Sequence, residues 1–271
     1  MVKSSQISGF YKLSPQERIQ LVKEFAGLTN EEVKLLQSTG SLDIDFANRM
    51  IENVVGTFPI PLGIAVNFLI NKRDYLIPMA IEEPSVVAAA SNAAKMVRKG
   101  GGFYTGSTPP IMIGQIQTVG IKDPYAAKTR VIQAKEEILK KANDQDPVLV
   151  SAGGGARDLD AKTIHTTQGQ MLITELHVDC RDAMGANAVN TMAEAVAPTI
   201  QRITGGHVYL RIISNLATKR LARAWCIVPK KSVGGEEVVK GIVNASAFAA
   251  ADPYRAATHN KGILNGIIAV I

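Results

Sequence analysis

The sequence predicts an α+β fold in which a small unit of alternating strands and helices is inserted into a larger, mainly helical unit. Amphipathic helices open the chain, strand and helix patterns alternate from about residue 109, and the apolar texture of the first unit returns after residue 215. The expected bounds are 1–108 for the first part of the large domain, 109–214 for the small domain, and 215–271 for the second part of the large domain.

The composition is that of a globular protein. The 271 residues are 46% apolar and 20% charged, enough apolar material for a sizeable core. The net charge of +6 favours anionic ligands. Nucleic acid is not an expected partner, because only 5% of residues are aromatic and the basic residues are scattered singly.

The number of cysteines and the length of the apolar runs indicate where in the cell the protein is located. Cys180 and Cys226 are too few for a disulfide framework and lack the spacing of a metal site, which favours a cytoplasmic protein without a structural metal. No secretory signal pattern opens the chain, and no run of about 18 apolar residues would cross a membrane.

Two short helices are predicted at the start of the chain. Ser14 precedes Glu17 by three residues, and Thr29 precedes Glu32 by the same spacing, the pattern of a capping box. Apolar residues at helical spacing give each helix one face for docking. Those positions are Ile19, Val22 and Phe25 in the first helix and Val33 and Leu36 in the second.

The rest of the large unit's first part is predicted as a hairpin and a helix. Strands Val66–Ile70 and Tyr75–Met79 flank the polar residues 71–74, and Pro84 opens an alanine-rich helix that ends near Arg98. The small unit is predicted from a further run of elements. These are the strand Ile111–Val119, the helix Pro124–Ala142, a glycine loop at 153–155, the strand Met171–Cys180, the helix Gly185–Ile203 and the strand Val208–Ser214.

The segment Asp182–Asn187 is a candidate anion site. It lies between a predicted strand and a helix N-terminus, where backbone N–H groups lack partners and the helix dipole favours negative charge. Gly185 would let a phosphate approach the backbone. The alternative is structural, with Asp182 as an N-cap and Gly185 as a packing glycine. No GxGxxG follows a predicted strand, so a nucleotide site here would not be of the Rossmann type.

Glu83 is a candidate proton donor. It stands at the entrance to the predicted alanine-rich helix, where burial would keep its carboxyl protonated near neutral pH. The alternative is a helix-end carboxylate beside Glu82 that only complements the helix dipole.

The segment Arg255–Gly262 concentrates polar groups between apolar stretches, so it is expected on or near the core with a ligand as its partner. Lys261 could stabilise a developing oxyanion and Arg255 could bind a carboxylate through two hydrogen bonds. A solvated loop is the alternative.

Other polar residues receive structural interpretations. Trp225 and Cys226 are expected in the core, and Lys219 with Arg220 is expected at a solvated helix start rather than as a phosphate grip. The remaining histidines are expected to be ordinary surface or strand residues: His165, His177 and His207.

Four ordered motifs resemble those of hydroxymethylglutaryl-CoA reductase of the soluble bacterial and archaeal class (class II). They are Glu52–Thr57 (ENVVGT), Glu82–Ser85 (EEPS), Asp182–Asn187 (DAMGAN) and Thr258–Gly262 (THNKG). The resemblance implies a large substrate domain and an inserted small α/β cofactor domain that is ferredoxin-like and non-Rossmann. It also implies interconversion of hydroxymethylglutaryl-CoA with mevalonate and CoA through two nicotinamide hydride transfers. A truncated or non-catalytic member that only binds CoA or nucleotide is the alternative.

The resemblance also implies roles for single residues. Lys261 would stabilise the oxyanion of a hemithioacetal and Glu83 would supply a proton, with Asn265 linking the two by hydrogen bonds. Ser85 and Arg255 would bind the free carboxylate of the substrate. The cofactor would contact Asp182, Met184, Gly185, Asn187 and Asp146. The acid at position 146 matches the family position facing the adenosine ribose, which favours NAD, with NADP possible, because a carboxylate repels a 2′-phosphate.

The same resemblance implies an oligomeric state and family residues that this sequence does not contain. A homo-oligomer built from dimers with shared active sites is expected, with no membrane partner. The family's catalytic aspartate and the histidine of its C-terminal flap would lie beyond Ile271. From the apolar ending at 266–271 we expect a truncated chain that is inactive as it stands.

Overall fold

A computed structural model describes residues 4–38, 40 and 42–271. The chain divides into two compact units, one formed by Met1–Thr105 with Ala224–Ile271 and the other by Gly106–Arg223. The domain bounds inferred from the sequence, 108/109 and 214/215, stay a prediction. Both units combine helices with a four-stranded sheet, so the fold is a mixed α/β one.

The first unit contains most of the short helices and one sheet in the order β2-β1-β3-β8. Its elements are a 3-10 helix Phe10–Lys12, α1 Pro15–Ala26, α2 Asn30–Gln37, α3 Ile44–Met50, β1 Leu62–Ile70, β2 Arg73–Ala80, α4 Val86–Arg98, β3 Phe103–Ser107, β8 Ala222–Cys226, α9 Lys230–Val233, α10 Glu236–Ala251 and α11 Pro253–Ile268. Strands β3 and β8 each include residues on both sides of the division between the units.

Both predicted capping boxes are confirmed. Ser14 accepts a hydrogen bond from the backbone N–H of Glu17, whose carboxylate accepts one from the N–H of Ser14. Thr29 and Glu32 do the same at the start of α2. These local contacts satisfy backbone donors that a helix N-terminus otherwise leaves without partners. Helix α3, which the sequence analysis missed, begins at the cap Asp43.

The predicted hairpin is also confirmed, with longer strands. β1 and β2 pair antiparallel from Leu62↔Ala80 to Ile70↔Arg73. The two linking residues, Asn71 and Lys72, have φ values of 48° and 65°. Two successive left-handed residues form the turn whose twist matches that of the flanking strands.

An ion pair fixes the N-terminal segment to this hairpin. Arg98 at the end of α4 pairs with Asp74 on β2 at 2.6 Å, and both side chains are under a fifth exposed. Ser5 donates to the same carboxylate through its backbone N–H and its hydroxyl, at 2.8 and 2.7 Å. Residues far apart in sequence are thereby joined by charge-assisted hydrogen bonds.

The second unit is an antiparallel sheet in the order β5-β6-β4-β7 with helices packed against it. Its core is fully buried at Ile116, Leu176, Met192 and Ile200, among others. Its elements are β4 Ile111–Val119, α5 Pro124–Gln133, α6 Lys135–Asn143, α7 Pro147–Ser151, β5 Gly155–Thr166, β6 Gly169–Asp179, α8 Ala186–Thr204 and β7 His207–Ser214.

For this unit the sequence predicted one helix wrongly and did not predict one strand. The single helix expected over Pro124–Ala142 is divided at Ala134, and neither glycine nor proline marks the break. Strand β5 was missed. A bulge between Ala156 and Asp158 shifts its register, so the alternation of apolar and polar residues that announces a strand is interrupted.

Two residues expected in the core are exposed. Trp225 is 58% exposed and stacks on Tyr104 with ring centroids 4.3 Å apart, and Cys226 is also exposed. Both lie on β8, the end strand of its sheet, where all five residues are exposed. Among the residues placed by the structure, no helix has the length and apolarity needed to span a bilayer.

Candidate active site

Two polar side chains of one helix contact the carboxylate of Glu83, which is far from them in sequence. Lys261 Nζ lies 2.5 Å from Glu83 Oε2, and Asn265 Nδ2 donates to the same oxygen at 3.0 Å. Lys261 and Asn265 are four residues apart on α11, so they share one face of that helix. Glu83 lies in the turn between β2 and α4. The cluster therefore holds a cation, an amide and an acid within contact distance.

The protonation state expected for Glu83 is wrong. The Lys261 hydrogen bond lowers the pKa of this carboxyl below its ordinary value of 4.5, and Asn265 also lowers it, outweighing a smaller effect of burial. The side chain is 41% exposed, so it is not the buried acid that the sequence suggested. At neutral pH the group is a carboxylate that accepts two hydrogen bonds.

The polar segment Arg255–Gly262 is helical and exposed, which corrects both its expected place near the core and the alternative of a loop. All of it lies within α11, where no residue is buried. Asp252 caps this helix by accepting from the N–H of Arg255. In the described part of the chain no hydrogen bond joins the guanidinium of Arg255 to Glu83, Ser85 or Lys261.

Ser85 lies beside Glu83 in a cleft of the first unit. Its φ of 74° is left-handed, and it precedes the first residue of α4, Val86, so the helix starts two residues later than predicted from Pro84. The cleft has a volume of about 1110 Å³ and is lined by both Glu83 and Ser85. Three basic side chains also line it: Lys12, Arg18 and Lys95.

The segment Asp182–Asn187 joins β6 to α8 in the second unit. Asp182, Met184 and Asn187 are exposed, and Met184 is 66% exposed. The N-cap of α8 is Gly185, and no side chain caps the helix. The alternative role of Asp182 as an N-cap is therefore wrong. The exposed side chains surround a helix start whose N–H groups have no side-chain acceptor.

Gly185 is required by packing. Its φ is 100°, and a Cβ at this position would lie 2.3 Å from Cys180 Sγ. The glycine is buried, so its close neighbour is the protein itself. The structural explanation of this residue accounts for it without a ligand.

Asp146 caps the short helix α7. Its Oδ1 accepts from the backbone N–H of Leu149 at 2.9 Å. The side chain thus has a structural contact in addition to the ribose contact that the family resemblance implies. Across the part of the chain placed by the structure, no cluster of His, Cys, Asp and Glu is suited to a metal ion.

Two polar residues have structural roles that the sequence analysis missed. Arg220 lies in a turn, not at a helix start, and its guanidinium donates to backbone carbonyls of the Arg181–Met184 segment. His177 lies on β6 and is 6% exposed, and its Nε2 has no hydrogen-bond partner within the described chain. No local sequence signal distinguishes either residue, because their neighbours come from other segments.

Comparisons with known proteins agree with the four motifs. The family model described as hydroxymethylglutaryl-coenzyme A reductase matches residues 14–271. A 3-hydroxy-3-methylglutaryl-coenzyme A reductase of Archaeoglobus fulgidus is 64% identical over 99% of this chain, and a probable one of Borreliella burgdorferi is 32% identical over 97%. The chain spans 61% and 62% of the length of these relatives.

Solved structures show the same relationship. A 3-hydroxy-3-methylglutaryl-coenzyme A reductase of Streptococcus pneumoniae matches with a TM-score of 0.93 and 41% identity, covering 97% of this chain and 72% of that one. A class II reductase structure from the same organism, bound to NADPH in open conformations, matches with the same TM-score, identity and coverage. This chain belongs to the hydroxymethylglutaryl-coenzyme A reductase family.

Proposed function

We propose that this chain interconverts hydroxymethylglutaryl-CoA and mevalonate plus CoA. In the reductive direction one thioester, two reduced nicotinamides and two protons give one mevalonate, one CoA thiol and two oxidised nicotinamides. The observation that carries the proposal is the contact of Lys261 and Asn265 with Glu83, in a chain of this family. The same residues serve the reaction in both directions, since each step is reversible.

Lys261 is the group we assign to charge stabilisation. Reduction of a thioester carbonyl places negative charge on its oxygen, and a fixed ammonium beside that oxygen stabilises the charge. Glu83 holds the lysine side chain from the turn before α4, and Asn265, on the same helix as the lysine, donates to the same oxygen of Glu83. An ammonium that is already oriented needs less reorganisation when the charge develops.

Glu83 is the group we assign to proton delivery, which requires that its carboxylate first take up a proton. Its pKa is lowered chiefly by Lys261, so it holds no proton while this contact is made. When a substrate oxygen shares the N–H groups of the ammonium, the hydrogen bond to the carboxylate weakens, and the substrate also shields the carboxylate from water. Both changes raise the pKa of Glu83. We therefore propose that substrate binding converts the carboxylate into a proton carrier.

The cleft that Glu83 and Ser85 line is the place we propose for the substrate. Its lysine and arginine side chains give it positive charge, which suits an acyl-CoA with a free carboxylate and phosphates. Ser85 would donate to the substrate carboxylate. Arg255, on the exposed helix α11, would be its second partner.

The segment Asp182–Asn187 fits a nicotinamide cofactor. An uncapped N-terminus of a 19-residue helix presents free N–H groups to anions, and exposed side chains surround it. Asp182, Met184 and Asn187 would contact the cofactor, and Gly185 would keep the backbone close to Cys180. When bound, the cofactor supplies or accepts the hydride. A matching class II reductase structure from Streptococcus pneumoniae is bound to NADPH.

NAD is the cofactor we propose for this chain, because the acid Asp146 would repel a 2′-phosphate. Asp146→Ser removes the charge but keeps an oxygen that can cap α7. We expect this variant to move the ratio of kcat/KM for NADH and NADPH toward NADPH without a change in Tm. Equal use of the two cofactors by the unaltered protein would contradict the proposed preference.

The reaction itself is tested with the protein expressed from its complete gene. Hydroxymethylglutaryl-CoA is mixed with NADH or NADPH, and the absorbance of the reduced cofactor is followed together with free thiol. We expect two cofactors oxidised for each thiol released. The proposal fails if neither cofactor is consumed while both ligands bind, an outcome that supports a non-catalytic family member.

Assembly and location are further proposals. We propose a homo-oligomer built from dimers with shared active sites, located in the cytoplasm. Light scattering after size-exclusion chromatography tests the first, since a mass equal to one chain would contradict it. Fractionation of cells tests the second, since recovery with the membrane pellet would contradict it.

A further inference from the structure

We propose that Arg220 is a positioning residue that holds the Arg181–Gly185 segment, the cofactor loop, in the shape that binds the phosphates of the nicotinamide cofactor. This inference rests on the proposed function. It concerns a residue of the second unit for which the sequence predicted only a solvated surface position.

The contacts of Arg220 are all with the backbone of this loop. Nη1 donates to the carbonyl of Ala183 at 2.8 Å and to that of Met184 at 3.3 Å, and Nη2 donates to that of Arg181 at 3.4 Å. One rigid guanidinium thus binds three carbonyl groups. A guanidinium can do this because its donors form a planar fork, whereas a lysine offers one point charge on a flexible stem.

Binding of these carbonyls also orients the N–H groups of the loop. In a trans peptide the C=O and the following N–H point in opposite directions. The carbonyls of Arg181, Ala183 and Met184 face Arg220, so the N–H groups of Asp182, Met184 and Gly185 face away from it. The N–H groups of Met184 and Gly185 are successive, and successive N–H groups on one side of a turn form a concave anion site.

The loop needs an external restraint because its backbone is strained. The strained residue is Arg181, which has a φ of 51°, whereas Gly185 adopts its φ of 100° without strain because it has no Cβ. A left-handed residue other than glycine costs about 1 kcal/mol or more. Ala183 N–H closes a turn within the loop on the carbonyl of Cys180 at 3.1 Å. Arg220 adds hydrogen bonds from a distant segment to three carbonyls of the loop backbone.

The charge of Arg220 adds to the same effect. The guanidinium lies on the carbonyl side of the loop, and the N-terminus of α8 follows directly after Gly185. A fixed cation and the positive end of a helix dipole both favour an anion on the N–H side. Arg220 therefore acts on the cofactor through the loop and requires no direct contact with it.

The experiment compares Arg220→Met, Arg220→Lys and the control Arg202→Met in the protein expressed from its complete gene. Arg202 is an exposed arginine near the other end of α8 that pairs with Glu137 at 2.8 Å. Two quantities are measured for each variant. One is amide hydrogen exchange of residues 182–187 without ligand, and the other is the Kd for NADH and NADPH by fluorescence titration.

We expect Arg220→Met to weaken cofactor binding by about tenfold to a hundredfold, the value of hydrogen bonds from a charged donor. Its loop amides should exchange faster, while those of β4 and β6 stay protected. The Kd of Arg220→Lys should lie between those of the unaltered protein and Arg220→Met, because lysine keeps the charge but lacks the planar set of donors. Arg202→Met should match the unaltered protein. The KM for hydroxymethylglutaryl-CoA should not change in any of them.

Several outcomes overturn the inference. Unchanged loop exchange in Arg220→Met would show that the arginine does not hold the loop. Full binding by Arg220→Lys with unchanged exchange would show that charge alone matters, as for a direct phosphate contact. If the unaltered protein binds neither NADH nor NADPH, the proposed cofactor site fails, and the exchange measurement still decides whether Arg220 holds the loop.

Discussion

Lys261 Nζ lies 2.5 Å from Glu83 Oε2, although 178 residues separate the two in sequence. The pair brings α11 to the turn between β2 and α4, within one compact unit of the protein. Because the ammonium of Lys261 lowers the pKa of Glu83, the protonation of the acid depends on the position of the lysine. Lys261 and Glu83 are therefore expected to act as a coupled pair and not as two independent groups.

Removing the cation should raise the pKa of Glu83. Lys261→Met deletes the largest cause of the lowered pKa, so the midpoint should return toward 4.5. Asn265→Ala should raise it less, since the amide has the smallest effect. The measurement is a pH titration of the Glu83 carboxyl carbon by NMR, assigned with Glu83→Gln.

A matched lysine provides the control for this titration. Lys240 pairs with Glu237 at 2.9 Å on the exposed surface of α10, so Lys240→Met removes a similar ion pair elsewhere. It should leave the Glu83 midpoint unchanged. If Lys261→Met also leaves it unchanged, the coupling inferred from the geometry does not exist in solution.

The N-terminal helices and the hairpin could be predicted because their signals are local. A capping box needs residues three apart, and the turn between β1 and β2 needs two adjacent residues that tolerate left-handed backbone. The identity of Glu83 and Lys261 as candidates was also readable, from motifs that resemble one family. These features need no knowledge of distant contacts.

The ionisation of Glu83 could not be read in the same way. The sequence places it before an apolar helix, which suggested burial, whereas the pKa depends on a lysine 178 residues away. Trp225 was misplaced for a related reason. Its apolar side chain suggested a core position, but whether a strand such as β8 is central or at an edge depends on the order of strands in the sheet.

Asp74→Asn should destabilise the protein at neutral pH by about 2 kcal/mol. Burial raises the pKa of Asp74, but hydrogen bonds from Arg98 and Ser5 outweigh it and lower the pKa to about 2 from an ordinary value of 3.8. A group with a lowered folded pKa stabilises the protein above its unfolded pKa. That stability is lost as the pH falls from 3.8 through about 2.

Urea unfolding at neutral pH and at about pH 2 measures this difference. The difference in unfolding free energy between the unaltered protein and Asp74→Asn should narrow in acid, because at about pH 2 Asp74 is protonated in the unfolded chain and about half protonated in the folded protein. Glu137→Gln, which breaks the exposed pair with Arg202, should change stability by about 0.5 kcal/mol or less. A pH-independent gap for Asp74→Asn would refute the assigned pKa.

Gly185→Ala should destabilise the second unit by about 2 kcal/mol, because φ is 100° and the new Cβ would lie 2.3 Å from Cys180 Sγ. Gly241→Ala serves as the control, since Gly241 lies within α10 with no atom within 4 Å of the added carbon. That change should stabilise by about 0.5–1 kcal/mol. Thermal unfolding measures the stability of both variants. If Gly185→Ala leaves the stability unchanged, the loop backbone can relax to accommodate the added carbon.

His177 should make the protein less stable as the pH falls below 6.5. Burial lowers the pKa of this imidazole and Lys219 lowers it further, while Asp158, Glu175 and Asp160 oppose them. The folded protein therefore binds fewer protons at His177 than the unfolded chain does, and the unfolded state gains stability between 6.5 and the lower folded pKa.

His177→Gln removes this titration, so the stability difference between the unaltered protein and the variant should shrink as the pH falls below 6.5. The midpoint of urea unfolding is measured from neutral pH into mild acid, with the exposed His165→Gln as the control. Carboxylates that titrate in the same range are present in all three proteins, so to first order their contributions cancel in the difference. A constant difference for His177→Gln would mean that the imidazole is protonated equally in the folded and unfolded states, contrary to its burial beside Lys219.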